Sequence, residues 1–373
     1  MVDRRAAVNT RVGAPRLLSF ELLRGLAAFS VVLHHATLAL RETPALGFDG
    51  FHGGWVFPGD PGVEFFFVLS GFVMVLSHAQ DAGSLRGLAR FAWRRVCRIY
   101  PSYWLVMAMI LSWAWRIPWV TAPRVLDWLT LLPGLHRVLD PMSNLLAVAW
   151  TLRVEIGFYM MFALYLLPRV GRLILPVWVA SVIVQTWWPT TLPRLGVPVL
   201  AIDLVNPFCI EFLCGMAAAT VWRRHRAGRI GALGALGLGC VLIALYVHQT
   251  NGGYGFATAW TRPTAGAGVG LALLGLGWLE QQGALRLGRF AAFCGMLSYP
   301  LYVSHLVAFD HLKGWLPELL KPNPAAWLSD GATVAIFAAG SLLFAVVIAW
   351  GFDRPVQALL RGRRPSLRLG LAG

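Results

Sequence analysis

Long apolar runs succeed one another from Leu17 almost to the end of the chain. Many exceed about 18 residues, the length a helix needs to cross roughly 30 Å of hydrocarbon. In such a solvent backbone amides must bond within their own segment, so these runs become helices and not open sheets. Of 373 residues, 57% are hydrophobic and 13% charged, against about 45–50% and about 25% in a soluble domain, which excludes a soluble core. The pattern predicts an all-α integral membrane protein of about ten transmembrane helices. The spans are 17–40, 61–79, 99–115, 145–167, 172–188, 198–222, 230–249, 262–279, 290–309 and 330–352. They leave short loops and no separate soluble domain, so 1–373 reads as one membrane domain with an N-tail over 1–16 and a basic C-tail over 353–373. Segment 116–144 reads as an amphiphilic loop with a short interfacial helix around Leu126–Leu132, and the Gly/Leu/Ala-rich stretch 231–244 as a helix packed through small residues.

The formal charge is +15, from 32 Lys+Arg against 17 Asp+Glu. On a membrane scaffold this excess belongs in cytoplasmic loops facing anionic lipid; with no aromatic-basic soluble module, nucleic acid is excluded as a partner. Of the 32 Lys/Arg, 22 fall in the two tails and the loops on their side, 8 on the other, and Arg24 and Arg153 lie within spans. That asymmetry places both termini in the cytoplasm of a multi-pass inner-membrane protein, which requires an even number of spans. The first run has no good cleavage site and reads as a retained helix. Cys97, Cys209, Cys214, Cys240 and Cys294 show neither zinc nor C-x-x-C spacing and are expected to be free.

A charge in the bilayer centre costs about 2.5–3.5 kcal/mol on insertion scales, so intramembrane ionisable residues are candidates for function. Arg24 and His35 are eleven residues apart on the first span, three turns plus about 20°, which puts them on one face roughly 16 Å apart. A histidine there can take a proton from a hydroxyl; the alternative is that His34 or His35 caps the outer helix end. Arg95 and Arg98, with Arg94 beside them, form a guanidinium cluster suited to phosphate, or else to ordinary anchoring at the cytoplasmic face. Thr151, Glu155 and Tyr159 share a face of the fourth span; Glu155 either orients His35 or pairs with Arg24. Glu64, Asp203, the deeper Glu211 and His305, one turn after Tyr302, lie in the outer halves of their spans and would make an outward-facing polar pocket; the alternative for His305 is a residue at the interface. Ser70-Gly71 reads as helix packing. The histidine spacing supports no metal site.

Four separated pieces, in order, carry a resemblance: Leu-Arg24-Gly with His35 ten residues further on; Gly62-Val-Glu-Phe-Phe-Phe-Val-Leu-Ser-Gly-Phe72; Arg95-x-x-Arg98-Ile-x-Pro101; and Trp150-Thr-Leu-x-Val-Glu155-x-x-Phe-Tyr159. Ser298-Tyr-x-x-Tyr302-x-x-His305 and Phe352-Asp-Arg-Pro355 extend it over essentially the whole chain. In these the chain resembles the membrane-bound acyltransferase family 3, with Glu64 where aspartate is common and Thr151 where serine is common. The resemblance implies a ten-helix core, donor coenzyme A recognised by Arg95 and Arg98, and a catalytic histidine at His35 supported by Arg24. The expected activity is O-acylation, chiefly O-acetylation, of a carbohydrate hydroxyl outside the cytoplasm. The donor is acyl-CoA, used as a substrate and not held permanently. His35 acts as general base or briefly carries the acyl group, Glu155 holds the imidazole, and Glu64, Asp203, Tyr302 and His305 face the acceptor. The expected partners are a carbohydrate or glycolipid acceptor, membrane lipids and glycan-assembly proteins. A transporter or flippase for a lipid-linked sugar is the alternative for a bundle with buried charges.

Overall fold

Within the residues described by the computed structural model (17–41, 57–78, 81–133, 135, 145–168, 170–250, 259–320 and 330–362), all regular structure is helical. The N-tail 1–16, Arg137, Arg169, Lys321 and the C-tail beyond 362 lie outside the described residues. In order the helices are α1 (Leu18–Arg41), α2 (Asp60–His78), α3 (Leu85–Ala114), α4 (Ala122–Thr130), α5 (Ala149–Tyr165), α6 (Gly171–Trp187) and α7 (Thr191–Arg194). There follow α8 (Val199–Asp203), α9 (Cys209–Arg224), α10 (Arg229–Thr250), α11 (Thr261–Gln281), α12 (Arg289–Leu320), α13 (Asp330–Ile348), a π-helical turn (Ala349–Asp353) and α14 (Arg354–Leu360). Among the described residues, five stretches are long and apolar enough to cross a bilayer: Leu18–Ala39, Pro61–His78, Arg229–Thr250, Arg289–Gly314 and Gly331–Leu360; Leu173–Trp187 is apolar but shorter. All five cysteines are free.

The boundaries follow local chemistry. The expected span 198–222 is two helices, α8 and α9. Pro207 disfavours helical geometry at Asn206, whose Oδ1 instead accepts from Phe208 N at 3.0 Å, and the helix restarts at Cys209. The expected span 99–115 is the second part of α3, which begins earlier because Ser84 Oγ caps it, accepting from Gly87 N at 3.2 Å. The interfacial segment is α4, with a proline in its first turn.

Small residues set how closely the helices approach, since lipid supplies no hydrophobic drive between them. On α10 only one face packs, through Ala232 and Gly239 against α11, while Gly234 and Gly237 meet nothing. The α2–α9 crossing is closer: a Cβ at Gly71 would strike the backbone of Phe212, and one at Gly215 the backbone of Val68. Helices α1 and α12 run parallel. Gly25 lies against Cys294 and Glu21 against Gly295, and about ten residues further on in each helix His35 meets His305. Another face of α1 holds the chain entering α2, where Phe57 O lies 2.7 Å from His34 Nδ1 and Phe57 N donates to Thr37 Oγ1 at 3.1 Å. At its other end the first amides of α1 donate to Glu280 of α11, Leu18 N at 2.7 Å and Ser19 N at 2.9 Å. A carboxylate there answers both the orphan amides and the helix dipole.

Gly71→Ala and Gly215→Ala should each destabilise the protein by about 1–3 kcal/mol through overpacking. Gly237→Ala, facing open space, should be neutral. The unfolding midpoint in detergent checks all three.

Candidate functional site

One cavity, with about 860 Å³ of empty space, lies among α1, α2, α3, α5 and α12. Its cationic wall is Arg24, Arg95 and Arg98; Glu155 faces them, and Thr151 and Tyr302 line it further up. The i, i+3 spacing of Arg95 and Arg98 turns both inward. Arg94, about 100° round the helix, is exposed and off the cavity, so its expected place in the cluster is corrected. The two inward arginines are braced by aromatic rings. Arg95 lies 5.3 Å from the Tyr159 ring centroid and 5.8 Å from that of Phe91, and Arg98 lies 5.2 Å from that of Tyr299. This part of α3 is tied to the closing Phe-Asp-Arg-Pro piece, because Ser102 Oγ donates to Asp353 in the π-helical turn at 2.5 Å.

Glu155 has other partners than those expected. Its Oε1 accepts from Ser70 Oγ at 2.8 Å and from Tyr159 OH at 2.5 Å. The nearest ion-pair partner of Arg24 is Glu21, one turn earlier, at 3.5 Å. Glu155 therefore holds no imidazole; it is the anionic counterpart of the arginine wall. Ser70, read from sequence as packing, is a cavity residue, while its neighbour Gly71 does pack. The position of Ser70 within an apolar run, one helix face from a motif glutamate, was the only signal for it.

The partner of His35 is His305. His305 Nε2 lies 3.1 Å from His35 Nδ1, with ring centroids 5.0 Å apart. The protons can be placed by elimination. His305 Nδ1 sits 2.9 Å from Tyr302 O and 3.2 Å from Leu301 O, both acceptors, so it carries a hydrogen. In the neutral ring its Nε2 then offers a lone pair, and His35 Nδ1, also 3.0 Å from Val31 O, must be the donor. That leaves His35 Nε2 unprotonated, with no hydrogen-bond partner among the described residues. The pair does not line the cavity, which ends at Phe66 and Tyr302, rings 5.6 Å apart. Tyr302 OH is bonded to Thr151 Oγ1 at 2.6 Å, and His305 is the next turn of α12. The Arg24–His35 stripe is therefore interrupted by an aromatic constriction and is not one continuous wall.

Glu64, expected to face the acceptor, is completely buried and ion-paired with Arg262. Tyr246 OH donates to the same oxygen at 2.8 Å, and Arg262 reaches Glu211 at 3.5 Å. Two buried carboxylates required a cation, and Arg262, counted from sequence only as a loop charge, supplies it. Arg153 finds Asp127 on α4, through two bonds of 2.7 and 3.1 Å. Asp203 ends the short α8 beside Gly157 and does not line the cavity. Glu64, Glu211 and Asp127 each have an arginine partner because the bundle's inner surface is too apolar to leave them unpaired.

A family model described as an acyltransferase domain matches residues 17–352. Among curated proteins, the chain is 26% identical over 327 residues to "Exopolysaccharide production protein ExoZ" of Rhizobium meliloti (strain 1021), covering 84% of this chain and 94% of that one. It is 27% identical over 173 residues to "Nodulation protein 10" of Rhizobium leguminosarum bv. viciae, covering 38% and 42%. No solved structure matches.

Arg262→Met should cost about 3–5 kcal/mol by leaving Glu64 and Glu211 buried without their cation. Adding Glu64→Gln and Glu211→Gln to it should recover most of the loss. Thermal unfolding in detergent measures both, and failure of the triple variant to recover would remove the charge explanation.

Proposed function

The chain belongs to the acyltransferase domain family, the membrane-bound acyltransferase family 3 that its motifs resemble, and we propose that it transfers an acyl group, chiefly acetyl, from cytoplasmic acyl-CoA to a carbohydrate hydroxyl on the far side of a bacterial inner membrane. Membership of an acyltransferase family sets aside the transporter alternative. The observation that carries the rest is the cavity: three arginines at one end, and at the other a tyrosine one turn from His305, which pairs with His35.

In this reading Arg95 and Arg98 hold donor phosphates and Arg24 with Glu155 lines the path of the thioester arm. The arm passes the Phe66–Tyr302 constriction to reach His35. His35 Nε2 takes the proton of the acceptor hydroxyl as its oxygen attacks the thioester carbonyl carbon. The carbon–sulfur bond then breaks, and the proton passes from imidazolium to the departing thiolate, giving an ester and free coenzyme A. His305 acts through His35 by fixing which nitrogen is free.

Ten spans with both tails in the cytoplasm, forming one domain over 1–373, fit this route, and the parallel course of α1 and α12 accords with two odd-numbered spans. The relative named for exopolysaccharide production supports a polysaccharide acceptor, with glycan-assembly proteins and membrane lipids as neighbours.

Membranes given labelled acetyl-CoA should transfer label to surface glycan, and His35→Ala should lower the rate by about 10²-fold or more. His305→Gln, which keeps an acceptor near Nε2, should lose less than His305→Ala. Transfer by His35→Ala at the unaltered rate would refute the assignment of the base.

A further inference from the structure

Arg95 is gripped from the side away from the cavity by two residues that no motif used so far contains. His78, the last residue of α2, is completely buried. Its Nδ1 lies 2.8 Å from Asp81 Oδ2, and its Nε2 lies 3.3 Å from Arg95 Nη2. A carboxylate only accepts and a guanidinium only donates. The two neighbours therefore demand one arrangement of the ring: hydrogen on Nδ1, lone pair on Nε2, no net charge.

Asp81 is itself fixed by the turn between α2 and α3. Asp81 N donates to His78 O at 2.9 Å, Ser84 N to Asp81 O at 3.2 Å, and Gly83 N to Leu166 O at 2.9 Å. Gly83 has φ +81°, and any Cβ at Gly87 would stand 2.7 Å from Asp81. Its other oxygen receives Arg90 at 3.3 Å. The His78 ring meets Phe91 edge to face at 5.0 Å. The charged or titratable groups facing His78 are thus Asp81 from the turn and Arg94 and Arg95 from α3, with Arg90 behind Asp81 and Tyr159 of α5 beyond Arg95.

The order of these groups matters chemically. A carboxylate bonded directly to Arg95 would orient it and also neutralise it. A neutral imidazole placed between them orients the guanidinium and leaves its charge for another anion. Arg95 Nε, buried and without a hydrogen-bond partner, is a donor still unspent on a residue that lines the cavity.

We propose that Asp81 and His78 form a positioning pair that aims Arg95 at a donor phosphate, and that a second proton on His78 releases Arg95 and weakens donor binding. The proposal rests on the reading of Arg95 as a phosphate ligand. Neither residue touches the donor.

The test is a calorimetric titration of the purified full-length protein with free coenzyme A, at about pH 8 and about pH 5, above and well below an ordinary histidine pKa. Wild type should bind more weakly at the lower pH. His78→Leu should bind about tenfold more weakly than wild type at the higher pH, the loss of one bond to a charged group. His78→Gln presents an amide oxygen where Nε2 was and cannot titrate. It should retain affinity within about threefold at the higher pH and fall less on acidification, the residual fall coming from the ligand phosphate, whose second pKa is about 6. Asp81→Asn should resemble His78→Leu more than His78→Gln.

Wild-type affinity in His78→Leu, with Arg95→Ala impaired, overturns the proposal and spares the donor site. So does an identical pH profile in wild type and His78→Gln, which decides the matter even if His78→Leu fails to fold. Unaltered binding by Arg95→Ala would mean that the donor-site reading itself is wrong.

Discussion

A polar side chain inside an apolar bundle has no water to fall back on, and several of those described here are matched by a group from a distant part of the chain. Arg262 gathers Glu64 and Glu211, Arg153 takes Asp127, Ser102 takes Asp353, Ser70 takes Glu155 and His35 takes His305. Because small residues let the backbones approach until atoms touch, each pairing fixes a register that cannot slide without stranding a charge. The bundle is specified less by its abundant apolar contacts, which are interchangeable, than by these few polar ones.

How far the sequence anticipated this depends on the range of the information needed. Periodicity is local, so it identified the helices and put Arg95 and Arg98 on one face of α3. It could also have excluded Arg94, a single step of rotation away. Partnership is not local. Glu155 had two plausible partners by reach, and the structure gives it two others, Ser70 and Tyr159. His35 needed a companion, and the candidate was in hand as His305, yet only the parallel contact of α1 with α12 joins them. The break between α8 and α9 was legible in Pro207 and was overridden by the apolar run around it.

The site divides the work between its two ends. The arginine end is rigidly braced by aromatic rings and hydrogen bonds, as suits a surface that recognises a fixed anionic group. The histidine pair is separated from it by two aromatic side chains, Phe66 and Tyr302, whose rings lie 5.6 Å apart.

The carboxylate of Glu280 on the first amides of α1 carries a temporal consequence. The ribosome releases α1 long before it makes α11, so the helix bearing His35 enters the bilayer with its leading amides unmet and its imidazole unaccompanied. Both deficits are repaired only after residues 280 and 305 have been translated. A chain halted before that point would hold the whole arginine wall, Arg24, Arg95 and Arg98, but a His35 without its imidazole companion.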